Sequence, residues 1–443
     1  MNKVKSNLLY RFLSWGISKV LFTLILTLSL ISSSVSGYSQ EAYAVVSEDE
    51  TTLTFYYDTE RATRAGTVYD LNEGEDVPEW AKGETNGYPD NPSFNKVIFD
   101  ISFKEATPTT CFKWFAGFKN LTTIDNLEFL NTSEVTNMSY MFYFCSNLTD
   151  LDLSHFDTQN VTNMRWMFCL CKNITSLDLT NFNTTKVTDM ELMFDDCSSL
   201  TTLDVSKFNT QNVDDMQHMF YGCSSLTTLD LSNFNTENVK FMSSMFCGCS
   251  NLTNLDLSAF DTQKVSFMDF IFKNCSNLTT LDLSGFQIQL FGSIKSMFSN
   301  CSNLTTIYVS EEFRASRAYF SDNMFEGCTS LKGGNGTVYD ANHIDQEYAR
   351  IDKSGEPGYF TDKNATLTPI AETPKTADHV NVWSSSHTIY INAPTDTKYT
   401  IIDTNGRLIT TSTTKSTHEE INLNKKGVYI VKVSNLTQKI VIQ

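Results

Sequence analysis

Cysteine recurs in this chain on a fixed period. Cys145, Cys171, Cys197, Cys223, Cys249, Cys275 and Cys301 are spaced by 26 residues every time, and Cys328 follows 27 later. Each closes one phrase, as in Met193-Phe194-x-x-Cys197 and Met219-Phe220-x-x-Cys223. A second phrase follows, as in Leu226-x-x-Leu229-Asp230-Leu231. An aberrant first unit precedes them, with Trp114-Phe115-x-x-Phe118 in the place of Met-Phe-x-x-Cys. Units this short cannot bury an apolar face alone, so like units must stack and share one core.

Within a unit, Leu229-Asp230-Leu231 alternates, which predicts a short strand with both leucines inward and Asp230 outward. Val213, Met216, Met219, Phe220 and Cys223 fall at i, i+3, i+6, i+7 and i+10. That spacing predicts a short helix with one apolar stripe, capped by Asn212. Each unit then reads as strand, corner, short helix and turn. The expected fold is an α/β solenoid of about nine strand–helix units. Its parallel strands, about 4.8 Å apart, make an arc on the order of 40 Å long.

The full phrase, Leu-x-x-Leu-Asp-Leu-Ser-x-Phe-(Asn/Asp)-Thr-x-x-Val-x-x-Met-x-x-Met-Phe-x-x-Cys, resembles the BspA-like leucine-rich repeat, also called the mycoplasma-lipoprotein-type surface repeat. The resemblance runs from about Asn95 to Thr361. Its opening is Val97-Ile98-Phe99-Asp100 with Trp114-Phe115, and its close is Gly333-Gly334-Asn335-Gly336-Thr337 through Pro357-Gly358-Tyr359-Phe360-Thr361. Departures are Phe118 for the first Cys, Ile271 for Met, and Tyr308 for Asp in the last strand. The resemblance implies a leucine-rich-repeat-like right-handed arc. It also implies a surface-exposed protein of mucosal or commensal microbes that acts as an adhesin for host or neighbouring-cell proteins.

Eleven cysteines in an exported chain invite a disulfide reading. The count is odd, however, and eight sit at one repeat position on an apolar stripe. A column of buried thiols packed like small hydrophobes is the favoured expectation. Cys169 and Cys247 are extra and lie three units apart, too far to bridge. Their Cys-x-Cys pairing with Cys171 and Cys249 has no companion His, so no metal is expected.

On the strand face, Asp152, Asp178, Asp204, Asp230, Asp256 and Asp282 are expected to stack in register among Thr and Ser side chains. Carboxylates about 4.8 Å apart repel by roughly 1 kcal/mol per pair in water. A cation or a lysine-rich partner relieves that repulsion, so this concave ladder is the candidate binding face. The alternative is a solvated polar face whose aspartates bond to neighbouring hydroxyls and backbone. Tyr308, Tyr319, Tyr339 and Tyr348 near the end are either interface anchors or core caps.

No chemistry of catalysis stands out. The six histidines (His155, His218, His343, His379, His387 and His418) form no His-Glu-x-x-His motif, and there is no Gly-x-Ser-x-Gly elbow or P-loop. A cysteine nucleophile needs a facing His, and none recurs at a fixed offset. The expectation is therefore a non-enzyme without cofactor or metal. Formal charge is −18, and beyond residue 39 the chain holds 29 Lys and Arg against 51 Asp and Glu, a net of −22. Phosphate repels such a chain, so nucleic acid is not an expected partner.

The first 39 residues carry Lys3, Lys5, Arg11 and Lys19 and no acid, followed by the apolar run Leu21–Ile31. A mostly apolar run of eleven residues fits a secretory signal better than a bilayer span, with cleavage near Ser39/Gln40 or after Ala42-Tyr43-Ala44. The alternative is an uncleaved anchor. No later run is long and apolar enough to cross a membrane. After Phe360 a Thr- and Pro-containing linker leads to alternating stretches at Ile389–Ile391, Tyr399–Ile402, Val428–Val433 and Lys439–Ile442, with turns at Asn405-Gly406 and Lys426-Gly427. These predict a small β-sandwich. Ile402-Asp403-x-Asn405-Gly406-Arg407-Leu408 with Gly427-Val428-Tyr429-Ile430-Val431-Lys432-Val433 resembles the C-terminal type A sorting domain of the type IX secretion system of Bacteroidetes.

The expected layout is a signal peptide (1–39), an N-terminal segment (40–94), the repeat array (95–331), its C-terminal cap (332–362), a linker (363–376) and the sorting-domain-like sandwich (377–443). The reading that follows is a protein exported to the outer-membrane surface or beyond. It would bind host or neighbouring-cell surface or matrix proteins and engage the type IX machinery through its tail. Rival readings are a structural spacer and, less favoured, a metal-dependent surface factor or enzyme.

Overall fold

A computed structural model describes residues 39–85, 88–89, 91, 93–364, 380–385, 388–403, 407–423, 425–433 and 436–442. The expected signal segment before residue 39, most of the linker and the Asn405-Gly406 turn lie outside the described residues. The chain forms two compact units, Met1–Asn364 and Ala365–Gln443.

The first unit opens with β1 (Glu41–Val46), β2 (Thr52–Asp58), β3 (Thr67–Asp70), the short pair β4 (Glu84–Thr85) and β5 (Tyr88–Pro89), then β6 (Lys96–Phe99) and β7 (Thr123–Asp125). Five of these make one sheet in the order β3-β1-β2-β6-β7. β1 runs antiparallel to β2 and β3, while β6 runs parallel to β2 and β7. The segment before the repeats is thus tied to the first repeat strands by backbone hydrogen bonds. Aromatic packing fills the space beneath: Phe55 stacks on Phe99 at 4.7 Å and on Trp114 at 5.0 Å. Buried indoles need acceptors. Trp80 Nε1 donates to the Trp114 carbonyl at 2.9 Å and Trp114 Nε1 to Asn72 Oδ1 at 2.7 Å. Trp114, where later units carry Met, closes this end of the core.

Beyond β7 the expected α/β solenoid is not what forms. Among the described residues there is no α-helix, only short 3-10 turns such as Ile101–Glu105. The leucine phrases do not join into one parallel sheet either. β8 (Ser176–Leu177) pairs only with β9 (Thr202–Leu203), and β10 (Thr280–Leu283), β11 (Thr306–Val309) and β12 (Phe360–Asp362) make a separate parallel sheet. Leu229–Leu231 and Leu255–Leu257 are not strands at all. The right-handed strand–helix arc is replaced by turns and small, separate sheets.

The physical reason lies in where the N–H groups go. In the stretch expected to be helical, Met219, Tyr221 and Cys223 donate to the carbonyls of Met216, His218 and Phe220, closing tight turns. The intervening Met216, His218, Phe220 and Gly222 donate instead to Phe241, Ser243, Met245 and Cys247 of the next unit. An α-helix would send all of them to residue i−4. His218 and Gly222 also have φ of 55° and 66°, left-handed values that a right-handed helix excludes. The same pair recurs as Leu192 and Asp196, and as Phe270 and Asn274. Apolar residues at helical spacing therefore face one core, but along a string of turns. Asn212, expected as an N-cap, sends its side-chain amide to the Thr185 carbonyl of the preceding unit at 2.8 Å.

Neighbouring units are joined by single parallel bridges, among them Asp189–Asp215, Asp215–Phe241 and Phe241–Phe267. Their interiors merge into one cluster that includes Met216, Met219, Phe220, Leu226 and Leu229. Phe194, Phe220, Phe246 and Phe272 stack face to face at 5.7–5.9 Å. The period-26 cysteines lie inside this core, and all eleven cysteines are buried and unpaired. Cys223 Sγ donates to the Phe194 carbonyl of the preceding unit at 3.1 Å, and that carbonyl also accepts the Cys197 N–H. The same contact repeats from Cys145 to Cys328. A buried threonine forms a second column: Thr210 Oγ1 donates to the Asn235 carbonyl at 2.9 Å and accepts from the Asn235 N–H at 2.8 Å.

The second unit is all β. β13 (Asn381–Ser385), β14 (Thr388–Asn392), β15 (Lys398–Asp403), β16 (Leu408–Thr413), β17 (His418–Asn422), β18 (Gly427–Val433) and β19 (Leu436–Ile442) form two antiparallel sheets, ordered β13-β14-β17 and β16-β15-β18-β19. Inward residues of both, including Ile389, Ile391, Ile401, Val431 and Val433, make one core. The alternating stretches expected to be strands lie in β14, β15, β18 and β19.

Two tests follow from the buried polar columns. Thr210→Val keeps the shape but strands the Asn235 N–H and carbonyl, and is expected to cost about 1–3 kcal/mol in urea unfolding. A loss no larger than for an exposed threonine would remove the column from the list of stabilising features. Burial raises the Cys328 thiol to about 12, so the folded chain is expected to resist aqueous alkylation and the unfolded chain to take up eleven labels. Fewer labels on the chain unfolded without reductant would reveal disulfides.

Candidate binding faces

The six expected aspartates do sit at one repeat position, and the geometry gives each a local task. Asp152, Asp178, Asp204, Asp230, Asp256 and Asp282 each accept, through Oδ1, the backbone N–H two residues on, at 2.9–3.1 Å. This Asx turn redirects the chain directly after the leucine phrase, which is why the strand there is so short. Five are exposed; Asp282 is half-buried and paired to Lys363 at 2.8 Å. Hydrogen bonds from Ser154, Thr180, Ser206 and Ser232 hold Asp152, Asp178, Asp204 and Asp230 below the ordinary carboxylate range. For Asp282, burial works against the charge, and Lys363 and Ser284 outweigh it. The column is uniform, and its five other members are exposed.

A second face comes from the strings of turns, and sequence reasoning overlooked it. The inner positions of those strings repeat faithfully, as Met, Met, Phe and Cys. The outer positions do not. The bridge column reads Thr110, Asn137, Asn163, Asp189, Asp215, Phe241, Phe267, Ser293 and Phe320, of which Thr110, Asn137 and Ser293 are buried and the others half-buried or exposed. Comparing unit with unit along the chain was the signal that could have found it: residues fixed by packing repeat, and those free of it diverge.

Three chemistries share the turn face. Near its start, Tyr140 stacks on Trp166 at 5.2 Å, Phe112 meets Tyr140 edge-on at 6.0 Å, and Tyr143 meets Trp166 at 5.4 Å. The Lys119 ammonium lies 4.7 Å from the Phe144 ring. Beneath them Ala116, Tyr143 and Cys169 form a small core of their own. Next come the acids Asp189, Glu191, Asp195 and Asp215, with Arg165 on Glu191 at 2.9 Å and His218 at 3.7 Å from Asp195. Burial pushes all four carboxyls above their ordinary range. Last come exposed apolar side chains, among them Phe267, Phe291, Tyr319 and Phe320.

Of the other expected positions, Tyr339 and Tyr348 pack against the core, and Tyr308 lies under the Lys363 ammonium at 5.0 Å. His155 is half-buried against Phe156, with ring centroids 5.0 Å apart. The thiols are poor nucleophiles here. Burial raises every one of them, and at Cys169 the Asp195 carboxylate 3.6 Å from the sulfur raises it further. Among the described residues no three His, Cys, Asp or Glu side chains are placed to hold a metal ion, and no helix is long and apolar enough to cross a membrane.

Comparison with known proteins gives two matches. Residues 109–229 and 222–338 match the family described as Mycoplasma protein of unknown function, DUF285, and together they span just over half of the 443 residues. Residues 384–443 match a secretion system C-terminal sorting domain. Neither description speaks of leucine-rich repeats. The sorting domain is of the type IX kind; it implies interaction with that secretion system and supports export to the cell surface or extracellular space. No curated protein and no solved structure matches the chain.

The two sets of carboxyls should oppose each other with pH. A lowered folded pKa, as for Asp204, adds stability above the ordinary carboxylate range that disappears as pH falls through the lowered value. A raised one, as for Asp189 and Asp215, costs stability as pH climbs past the ordinary range through the raised value. The double variant Asp189→Asn/Asp215→Asn is therefore expected to melt higher than the parent at pH 7 and no higher at pH 3. Equal melting temperatures at pH 7 would mean those carboxyls are not strained by burial.

Proposed function

We propose, for a chain that belongs to the family described as Mycoplasma protein of unknown function, DUF285, and ends in a type IX sorting domain, that it is a non-enzymatic binding protein displayed at the cell surface, adhesin-like in action. Its partners in this reading are surface or matrix proteins of a host or of neighbouring cells. The observation that carries the reading is the contrast between a repeated interior and a varied turn face. Stacking fixes the inner Met, Phe and Cys in every unit, whereas the half-buried Tyr140, Trp166, Arg165 and Glu191 of the turn face pack and pair with one another and are not repeated from unit to unit. Trp, Tyr and Arg are the residue types that concentrate binding energy in protein interfaces.

The aspartate column remains a second candidate within this proposal. Oδ1 of each serves the turn, and the five exposed carboxylates would be met by a lysine-rich partner or a cation. The two faces separate experimentally. The full secreted chain, immobilised, is offered matrix proteins and surface extracts of neighbouring bacteria, alongside Trp166→Ala/Glu191→Ala and Asp204→Asn/Asp230→Asn/Asp256→Asn. The turn-face pair is expected to weaken capture at least roughly tenfold. Loss only in the aspartate triple moves the site to the aspartate column. No capture by the parent chain leaves a spacer as the better description.

A further inference from the structure

One unit breaks the repeat in a way that brings apolar side chains into water. Ten residues before their cysteines, Val213, Val239 and Val265 are fully buried. The equivalent position before Cys301 is Phe291, and it is 73% exposed. Its φ is 65°, the left-handed region that costs an L residue roughly 1–2 kcal/mol. Gly292 follows, where a Cβ would come within 3.0 Å of the Ser266 carbonyl oxygen and 3.1 Å of that of Gln289. Ile288, in the slot of the threonine column, is fully buried in the core. The turn thus bends outward and holds Leu290 (66% exposed) and Phe291 in solvent.

They do not stand alone. The Phe291 N–H donates to the Arg317 carbonyl at 3.0 Å and the Tyr319 N–H to the Gly292 carbonyl at 2.8 Å, which brings the next unit alongside. Tyr319 and Phe320 are 69% and 52% exposed, with rings 4.7 Å apart. Ser293 bridges Phe320 to Phe267, which is 42% exposed. Five large apolar side chains at these exposures present on the order of 600 Å² of surface. A patch of that size stands at the upper end of what a monomer ordinarily exposes, where such surfaces are often functional.

We infer that this patch is a self-association surface, on which the Leu290-Phe291 turn and the Tyr319-Phe320 pair of one chain pack against the same residues of a second copy about a twofold axis. Two such patches face to face cover roughly 1,200 Å², where specific stable interfaces begin. A twofold contact needs a self-complementary surface, and an apolar patch is one. Charge permits it here. Beside the patch, Arg317 takes the Phe291 N–H on its carbonyl, Asp322 takes the Ser296 N–H, and Asp269 accepts from Ser293 and Lys295, so two basic and two acidic residues flank it in a chain of net charge −18.

Sedimentation of the full chain over a concentration series tests the inference, with Phe291→Asp and Leu290→Glu as variants. Asp tolerates a left-handed φ, so Phe291→Asp is expected to leave melting unchanged. The parent is expected to dimerise at low micromolar concentration, and each variant to raise the dissociation constant at least tenfold. A parent that stays monomeric to about 100 µM overturns the proposal, as does a dimer indifferent to both variants. A monomer that instead binds phosphatidylcholine vesicles through Phe291 also overturns it, and assigns the patch to a lipid surface.

Discussion

The structure depends on how one short string of turns divides its backbone donors. Alternate N–H groups between Met216 and Cys223 close turns within the unit, and the others reach the unit that follows. Every unit is therefore satisfied only when its neighbour is present. Buried amides without partners are costly, so this division ties units together more firmly than apolar contact alone. The side-chain columns reinforce it. The cysteine thiol gives a second donor to a phenylalanine carbonyl one unit back, and the threonine hydroxyl both gives and accepts one unit forward. Alanine would fill the cysteine slot less well and donate nothing.

This economy explains which residues repeat and which do not. Met, Phe, Cys, Thr and the turn-forming Asp each have a partner at a fixed place in an adjoining unit or turn. The left-handed positions illustrate the opposite case. His218, Leu192 and Phe270 occupy the same backbone conformation with unrelated side chains. The inter-unit hydrogen bonds dictate the backbone there and leave the side chain to other demands. Aromatic, acidic and basic residues gather on that face for this reason, and the binding and self-association readings draw on it. The strand face is the more uniform because its aspartates are occupied with folding.

The sorting domain and the repeat family fall in different units of the chain. The second unit has its own core and two antiparallel sheets, and matches a sorting domain. The family match falls entirely within the first unit. The aromatic closure around Phe55, Trp80 and Trp114 seals the start of the repeats, and Tyr359 and Phe360 pack at the far end.

The sequence alone determined the period, the inward set of side chains, the burial expected of the thiols and the strands of the tail. These follow from hydrophobic spacing, which any packing of like units must respect. It misjudged the backbone. Val213, Met216, Met219, Phe220 and Cys223 lie on one apolar side in a helix and in a string of turns alike, so periodicity could not tell them apart. Only the tertiary structure decided that, because the competing hydrogen-bond acceptors sit 25 residues away on the next unit. Likewise, nothing local announced that Phe291 points outward where valine points inward. That outcome rests on Ile288 entering the core and on carbonyls of the flanking unit.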